Sequence, residues 1–311
     1  MSDLKIAVVI PAYQVENEIV DVINSIPDFI MSIIIIDDAS PIPVGGITSH
    51  LTDTRIRLIR HEENQGVGGA MVTGYKKAIE MGADIIVKVD GDGQMDPKYI
   101  PLLVQPLIDG EADYCKGNRF AHVEELSSMP FLRRIGNITH SYLTKLASGY
   151  WNIFDPTNGY TAIRGSTFQA LDLKHLSSGY FFETSLLIAL RMQDAVVKDV
   201  PIPAIYGDEV SSLSHLKTLV TFPIYLTRGF FRRILFQYFL LNFNTTSIKI
   251  LLSFTLLLFG LIWGIYHRAQ SINTGVLAAA ETGLITFIPI TFGLLLLLIV
   301  LIDDMRSVPK R

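Results

Sequence analysis

The 311-residue sequence has a single cysteine, Cys115, so the chain cannot form an intrachain disulfide bond. Structural disulfides are rare in reducing compartments, and this cysteine content suits such a compartment. Basic residues are not in excess either, because 26 Lys and Arg stand against 30 Asp and Glu, a formal net charge of −4. Nucleic-acid-binding domains favour a basic surface, so the composition argues for no nucleic acid as a partner.

Charged residues are almost missing from two long stretches near the C-terminal end. Residues 248–266 contain only Lys249, and residues 283–302 contain none. Each stretch would span roughly 30 Å as a helix, the thickness of a bilayer's hydrocarbon core. Residues 294–301 are apolar on every face and lack the polar stripe of a soluble helix. We therefore predict two transmembrane helices rather than two buried core helices.

Lysine and arginine are also scarce between these two stretches, where Arg268 is the only one. Both outer flanks carry more of them: Arg228, Arg232, Arg233 and Lys249 on one side, and Arg306, Lys310 and Arg311 on the other. An excess of Lys and Arg is typical of cytoplasmic flanks. A signal peptide has a positively charged segment followed by an apolar run, and the first residues of this chain do not show that pattern. We expect a multi-pass membrane protein whose catalytic domain and both termini are cytoplasmic.

The first 120 residues alternate apolar runs with amphipathic ones. Strands are predicted over residues 6–10, 32–36, 55–59 and 85–89, and helices over residues 16–25 and 68–81. This order favours an α/β fold with a mostly parallel sheet and helices on both faces. Ligands of such sheets bind beyond the carboxyl ends of the strands.

The run of residues 85–89 ends in a cluster of polar groups. Asp90, Asp92 and Gln94 follow it, separated by Gly91 and Gly93, which permit a tight turn. Mg²⁺ and Mn²⁺ prefer oxygen ligands and are commonly bound by one or two carboxylates plus substrate phosphates. The pattern indicates a metal-diphosphate site, and an ordinary polar turn is the alternative.

Polar residues also follow the first two strands. Pro11 and Tyr13 come after the first strand, and Asp37 and Asp38 after the second. An aromatic ring and a carboxylate on adjacent strand ends could stack on a nucleotide base and accept its imide proton. Capping of a helix N-terminus by aspartate is the competing interpretation. A glycine-rich entry to the next helix, residues 64–70, could place backbone N–H groups against an anion, although it matches neither phosphate-loop pattern.

Taken together, the ordered motifs resemble the family 2 inverting glycosyltransferases. Two further motifs complete the set: Gly-Asn-Arg-Phe at residues 117–120 and Asp-Pro-Thr-Asn-Gly-Tyr at residues 155–160. Within the family, residues 5–215 look like the polyprenyl-phosphate hexose synthases of the dolichol-phosphate mannose synthase type. The two C-terminal spans resemble the bacterial branch, which charges undecaprenyl phosphate.

The resemblance implies a GT-A (Rossmann-like) catalytic domain and a metal-dependent hexosyltransferase of the plasma (inner) membrane. Its donor would be a nucleotide diphosphate sugar, with a UDP-sugar favoured, and its acceptor a polyprenyl phosphate, with undecaprenyl phosphate favoured. The residues implied for the base and ribose of the donor are Pro11, Tyr13, Asp37 and Asp38. Asp90 would contact the donor, and Asp92 and Gln94 would bind Mg²⁺ or Mn²⁺ on its diphosphate.

For the acceptor phosphate, the resemblance implies Arg119 together with Arg133 and Asn137, where Asn137 replaces the usual serine. Guanidinium groups stay charged and make bidentate bonds to phosphate oxygens. A solvated helix face is the alternative for Arg133. A phosphomonoester already carries a nucleophilic oxyanion at neutral pH, since its second pKa is about 6. We therefore expect no dedicated catalytic base, with Asp155 as the closest candidate and a structural turn as its alternative role.

We predict four segments along the chain: a catalytic domain over residues 1–215, an interfacial amphipathic segment over residues 216–246, a transmembrane hairpin over residues 247–303 and a tail over residues 304–311. In the second segment, Arg228 and Arg232 share one helix face, which would attract anionic headgroups, and a core helix is the alternative. The donor flap of the family would fall on residues 201–212, which lack its usual arginine.

Two other functions stay open. A processive polysaccharide synthase would carry an Arg-Trp pair on an interfacial helix, and neither Trp151 nor Trp263 follows an arginine. A catalytically idle membrane scaffold that binds nucleotide sugar would not need the full set of motifs. A second copy of the chain and a flippase are the protein partners left open.

Overall fold

The computed structural model describes residues 4–119, 131–203 and 215–311, with the backbone alone at residues 131–135, 137 and 215–220. The chain divides into two units, Met1–Arg233 with Pro309–Arg311 and Ile234–Val308. The predicted four-segment division stays a prediction.

The sheet of the first unit has seven strands in the described part. They are β1 Ile6–Ala12, β2 Ser32–Asp37, β3 Ile56–Arg60, β4 Ile85–Lys88, β5 Tyr114–Asn118, β6 Thr161–Arg164 and β7 Val197–Pro201. Their order across the sheet is β3-β2-β1-β4-β6-β5-β7. All neighbours pair in parallel except β6, which is antiparallel to β4 and β5. The predicted α/β class is confirmed, as a mixed sheet.

Seven helices of this unit lie in the described ranges before residue 203. They are α1 Ile19–Ser25, α2 Val44–Thr48, α3 Gly66–Glu80, α4 Ile100–Ile108, α5 Phe131–Ser148, α6 Gly165–Gln169 and α7 Phe182–Arg191. Helix α1 begins three residues later than predicted, because a turn comes first in which the Val15 carbonyl accepts from the amides of Glu18 and Ile19.

The central strands are buried on both faces. Every residue of β2 is buried, as expected of a parallel strand covered by helices on both sides. Helix α3 packs on β1 and β2 at Gly74, where a Cβ atom would lie 2.2 Å from Cγ1 of Val9. The absence of a side chain at that position therefore lets the helix backbone approach the sheet closely.

Helix α8, His215–Leu235, carries Arg228, Arg232 and Arg233. Arg233 is completely buried, and its Nε and Nη2 atoms each donate 3.0 Å bonds, to the carbonyls of Ala147 and Leu146. These carbonyls belong to the last turn of α5, whose final C=O groups have no partner within the helix. Arg233 thus supplies hydrogen-bond donors to two carbonyl groups in the last turn of α5.

The second unit contains a π-helical turn, Phe236–Leu241, and two long helices, α9 Thr245–Thr274 and α10 Ala280–Arg306. Both helices are long and apolar enough to cross a membrane, with mean hydropathies of 2.2 and 2.9 over their most apolar windows. Only 17% and 11% of these windows are buried, which differs from the core helices of a soluble protein. The helices contain the two predicted spans.

Candidate active site

A cleft of ≈ 780 Å³ opens at the carboxyl ends of β1, β2 and β4. Five of the predicted donor-site residues line it: Pro11, Tyr13, Asp38, Asp90 and Asp92. Parallel strands bring these residues to one sheet edge, as predicted, since Ala12 pairs with Asp37 across β1 and β2 and Val9 pairs with Lys88 across β1 and β4.

The other five predicted site residues do not line the cleft or lie outside the described side chains. Asp37, Gln94 and Arg119 are not among the residues that line the cleft. The side chains of Arg133 and Asn137, on α5, lie outside the described residues, and so does most of the predicted flap. Their assignment to the acceptor phosphate and to the donor therefore stays a prediction.

Asp38 faces the cleft while organising the loop beside it. Its Oδ1 accepts from the amide of Gln65 at 2.9 Å and lies 2.7 Å from Nδ1 of His61, and its Oδ2 accepts from the amide of Gly66 at 2.8 Å. Gly66 is the first residue of α3, so Asp38 caps a helix. Asp38 thus caps α3, and its predicted contact with a nucleotide base stays a prediction.

Asp37 is fully buried, with its oxygens already bonded within the protein. It accepts from the amides of Ser40 and Val44 at 2.9 and 3.1 Å and from Nη1 of Arg60 at 2.5 Å. Burial raises the pKa of Asp37, but these hydrogen bonds lower it more, so the carboxyl stays ionised. Val44 begins α2, which makes Asp37 a cap as well.

Four amides of the glycine-rich segment, those of Gln65, Gly66, Gly68 and Gly69, already have acceptors within the protein. Besides the Asp38 bonds, Gly68 and Gly69 donate to the carbonyl of Ser178 at 2.7 and 3.2 Å. A Cβ atom at Gly68 would lie 2.1 Å from the Ser177 carbonyl oxygen, so the glycine permits this close approach. The anion-binding interpretation of residues 64–70 is therefore wrong for Gly66, Gly68 and Gly69, whose amides have protein acceptors.

Asp90 belongs to a buried ion cluster. The ammonium of Lys88 lies 3.1 Å from Oδ1 of Asp90 and 2.6 Å from Oε1 of Glu183, and Lys88 is almost fully buried. Burial alone would lower the pKa of Lys88, yet the two carboxylates raise it well above its ordinary value. Burial raises the pKa of Glu183, and the nearby Lys88 and Lys116 lower it more. Lys88 and Glu183 are thus both charged.

Position 159, which follows the Asp-Pro-Thr-Asn sequence, has room only for glycine. A Cβ atom there would lie 2.6 Å from Nζ of Lys88, 2.8 Å from Oδ2 of Asp90 and 3.0 Å from Cε of Met95. Only a hydrogen atom fits against this cluster. The backbone of Gly159 thus forms a wall of the cleft next to Asp90.

Asp92 lines the cleft, and its Oδ1 accepts from the backbone amide of Gln94 at 3.0 Å across Gly93, which has a φ of 74°. The Gln94 side chain is exposed. No group of three or more His, Cys, Asp or Glu side chains that could hold a metal occurs among the residues described. A site of this kind fits a cation that takes its remaining ligands from substrate phosphates.

The cleft is strongly acidic. Its charged lining comprises five carboxylates, Glu18, Asp38, Asp90, Asp92 and Glu183, and one ammonium, Lys88. The resulting balance of −4 would repel a diphosphate. A divalent cation would offset this repulsion, and hard cations are held in proteins by carboxylates.

Arg119 follows β5 and forms a bidentate ion pair with Asp155. Nε and Nη2 of Arg119 lie 2.7 and 3.1 Å from the two oxygens of Asp155. Asp155 is completely buried, whereas the Arg119 side chain is 36% exposed. Asp155 therefore positions Arg119.

The remaining residues of this motif hold the strands under the cleft. Nδ2 of Asn158 donates to the Gly117 carbonyl at 2.8 Å, and the buried ammonium of Lys116 donates to the Asn158 carbonyl. Burial lowers the pKa of Lys116 to about 8. The Tyr160 hydroxyl donates to the Asp96 carbonyl at 3.0 Å, tying the motif to the turn after β4.

His140 of α5 also lines the cleft, and the sequence had not singled it out. Both of its ring nitrogens are buried and have no hydrogen-bond partner within the described ranges. Its ring packs beside Phe222, with centroids 5.8 Å apart. Burial lowers the pKa of His140, so the imidazole is neutral at physiological pH.

Comparison with known proteins identifies the family. The sequence profile described as glycosyl transferase family 2 matches residues 7–171, more than half of the chain. The chain belongs to glycosyl transferase family 2. The matched range contains β1 to β6 and all of the predicted site residues, from Pro11 to Asn137. The predicted family and enzyme class are confirmed.

Among relatives, this family 2 chain is 32% identical over 240 residues to the UDP-N-acetylglucosamine–dolichyl-phosphate N-acetylglucosaminyltransferase of Methanococcus voltae, covering 72% of this chain and 95% of the relative. It is 26% identical over 204 residues to the undecaprenyl-phosphate mannosyltransferase of Micrococcus luteus, covering 64% and 83%. Both names fit the predicted polyprenyl-phosphate branch of the family.

Solved structures support the fold. Glucosyl-3-phosphoglycerate synthase from Mycobacterium tuberculosis, crystallised with UDP, superposes with a TM-score of 0.54 at 22% identity, covering 74% of this family 2 chain and 80% of the synthase. A complex of that synthase with Mn²⁺, UDP and glucosyl-3-phosphoglycerate gives a TM-score of 0.53 at 21% identity, covering 75% and 79%. These similarities confirm the predicted architecture.

Proposed function

We propose that this family 2 enzyme is a membrane-anchored inverting glycosyltransferase. It transfers a hexosyl or N-acetylhexosaminyl unit from a UDP-sugar to a polyprenyl phosphate at the cytoplasmic side of the membrane. The observation that carries the proposal is the acidic cleft, which is lined by Tyr13 and Asp38 after β1 and β2 and by Asp90 and Asp92 after β4. The first pair would contact the nucleoside and the second pair the diphosphate and sugar.

A divalent cation, Mg²⁺ or Mn²⁺, fits this cleft. Asp92, which lines the cleft, would hold it. Gln94, whose exposed side chain does not line the cleft, would have to turn inward to serve as the predicted second ligand. When bound, the ion would neutralise the charge of the departing nucleoside diphosphate. Support comes from the acidic lining described above and from the Mn²⁺ and Mg²⁺ complexes of the structurally similar synthase with UDP.

The acceptor would enter as a phosphomonoester. One of its oxygens bonds to the anomeric carbon of the sugar while the bond from that carbon to the β-phosphate oxygen of the donor breaks, which inverts the configuration. The acceptor oxygen is already ionised, so no proton has to be removed. Asp155, which is buried and paired with Arg119, would orient that guanidinium toward the phosphate rather than act as a base.

The acceptor lipid is proposed from the relatives, whose names include both dolichyl and undecaprenyl phosphate. Undecaprenyl phosphate is the favoured substrate. Helices α9 and α10 would anchor the catalytic domain on the inner membrane, with both termini in the cytoplasm.

A transfer assay tests the proposal. Purified full-length protein is incubated with Mn²⁺ or Mg²⁺, with undecaprenyl or dolichyl phosphate, and with radiolabelled UDP-glucose, UDP-N-acetylglucosamine or GDP-mannose. We expect label in the butanol-extractable lipid with a UDP-sugar. Absence of labelled lipid with every donor and both acceptors would contradict the proposed reaction.

A further inference from the structure

A second cavity, of ≈ 340 Å³, lies in the same unit as the active cleft but on other residues. Its walls are a 3₁₀ turn, Leu173–His175, with the loop that follows it, helix α7 and helix α8. The basic side chains that line it are Lys174, His175, Arg228 and Arg232. Its apolar lining residues are Leu176, Phe181, Ile188 and Tyr225.

The two arginines of this cavity form no salt bridge within the described part of the chain. Arg228 and Arg232 are four residues apart on α8, so their like charges are neighbours on the helix. Over the described ranges, no carboxylate forms a salt bridge with either of them or with Lys174, and the one acid of the turn, Asp172, lies 3.7 Å from His175. Burial lowers the pKa of Arg232, as does Arg228, while Asp172 raises it. Among the described residues, Asp172 is thus the one carboxylate that acts on Arg232, and it does so from beyond salt-bridge distance.

The cavity has fixed walls. A Cβ atom at Gly229 would lie 2.5 Å from Cδ1 of Ile188, so the backbone of α8 packs directly against α7 at this point. The opposite wall is held by Ser178, whose carbonyl accepts from the amides of Gly68 and Gly69. The arginines therefore face a preformed space.

We propose that this cavity binds the phosphate group of an anionic phospholipid headgroup. Guanidinium groups make bidentate bonds to phosphate oxygens, and the apolar lining would contact the glycerol and the first acyl carbons. Helix α8 also exposes large apolar side chains, with Ile224 61%, Phe231 59% and Leu235 55% exposed, as a helix at a lipid surface does. The site would hold a bulk membrane lipid rather than either substrate, and it does not depend on the proposed reaction.

Lipid titrations of the full-length protein in a neutral detergent test this proposal. The probes are dihexanoyl phosphatidylglycerol, dihexanoyl phosphatidylcholine, farnesyl phosphate and inorganic phosphate, and the readouts are the dissociation constant and the thermal midpoint. The test variant is R228Q/R232Q. The control variant is R57Q/K76Q, which removes the same charge from exposed positions on β3 and α3.

We expect phosphatidylglycerol to bind and to raise the thermal midpoint, and phosphatidylcholine to do neither. The double variant should bind it about 30-fold more weakly, at about fivefold for each arginine, while the control variant keeps wild-type affinity. Without lipid, the double variant should be as stable as the wild type or more so, because two like charges are removed. Equal affinity in both variants would overturn the proposal. Preference for farnesyl phosphate or inorganic phosphate over phosphatidylglycerol would also overturn it, by assigning the cavity to another phosphate.

A separate observation concerns His140 in the active cleft, and this second inference rests on the proposed function. We infer that the His140 imidazole hydrogen-bonds a hydroxyl group of the transferred sugar. His140 lines the cleft that a substrate must fill, and its buried ring nitrogens have no hydrogen-bond partner among the described residues. A neutral imidazole both donates and accepts a hydrogen bond, as a hydroxyl does. Phe222 beside it offers an apolar surface for the sugar ring.

The variants H140F and H140N separate this role from a structural one, with H50F as a control at an exposed histidine. In a wild-type preparation that transfers sugar, H140F should lower kcat/KM for the UDP-sugar about tenfold, with UDP affinity and thermal midpoint maintained. H140N should restore part of the loss. A joint fall of activity and thermal midpoint in H140F, or unchanged kcat/KM, would overturn the inference, whereas an inactive wild type would instead count against the proposed function.

Discussion

Replacing Lys88 by methionine should destabilise the catalytic unit and reveal how Asp90 is held. Only 3% of the Lys88 side chain is exposed, and its ammonium lies between Asp90 and Glu183. The substitution keeps an apolar stem of similar length but leaves two carboxylates without their cation. Removing one partner of a buried ion pair costs about 3–5 kcal/mol.

The exposures of the two acids refine this magnitude. The Asp90 side chain is 28% exposed and can be hydrated, whereas that of Glu183 is only 12% exposed. Most of the penalty should therefore come from Glu183, and we expect the lower end of the range, about 3 kcal/mol. For a unit of this size, that loss corresponds to a fall of roughly 6–12 °C in the thermal midpoint.

The pH dependence gives the decisive readout. Lys88 lowers the pKa of Glu183, so in the wild type this carboxylate contributes stability that is present above its ordinary pKa of 4.5 and is lost as the pH falls through the lowered value. In K88M the Lys88 ammonium no longer offsets the effect of burial on the Glu183 carboxyl. The pKa of Glu183 therefore rises, and the folded variant takes up a proton at a higher pH. The stability difference between wild type and K88M should therefore shrink from pH 7 to about pH 5.

Thermal unfolding of wild type, K88M, E183Q and K88M/E183Q at both pH values measures this effect. We expect the double variant to be more stable than K88M at pH 7, because the unpaired carboxylate is gone. An equal stability loss for K88M at both pH values, with no recovery in the double variant, would refute the account of the cluster.

Three further predictions concern the surrounding residues. D155N should weaken the hydrogen-bonded ion pair with Arg119 and lower the free energy of unfolding by about 2 kcal/mol, as measured by thermal unfolding. It should also reduce sugar transfer to lipid in the transfer assay. G149A should lower the free energy of unfolding by at least about 1 kcal/mol, as measured by thermal unfolding. Gly149 has a φ of +76°, and a Cβ atom there would lie 2.8 Å from Nη1 of Arg233. Folding lowers the pKa of Lys116 from 10.5 to about 8, so between these pH values Lys116 is protonated in the unfolded chain but not in the folded one. The stability of the wild type should therefore rise as the pH increases from about 8 to 10.5. A pH series of thermal midpoints should show that K116M lacks this gain.

The order of strands and helices was predictable where hydrophobic runs were long. The apolar stretches of β1, β2 and β4 predicted three strands whose ends meet at the cleft. Strands β6 and β7 were not predicted, because β6 has only four residues and its antiparallel pairing depends on the neighbours β4 and β5. Such short strands are defined by tertiary pairing rather than by local sequence.

The cleft residues were predictable from their positions after strands, but their second roles were not. That Asp37 and Asp38 cap α2 and α3 depends on which loops fold back over the sheet. The sequence predicts residues 85–89 as an apolar strand and gives no role to Lys88. Its ion-pair partner Glu183 is 95 residues away, so no neighbouring residue indicates the pair. His140 gave no signal, since a lone histidine on a helix has no distinctive pattern until the cavity around it is known.

The central claim is that a divalent cation on Asp92 binds the nucleoside diphosphate in the acidic cleft. Calorimetric titration of UDP into the full-length protein, with Mn²⁺ or with EDTA, tests it most directly. We predict binding with Mn²⁺, none with EDTA, and a loss of at least about tenfold in D92N, with D109N at an exposed helix end behaving as wild type. UDP binding of equal strength with EDTA, or in D92N, would contradict the claim.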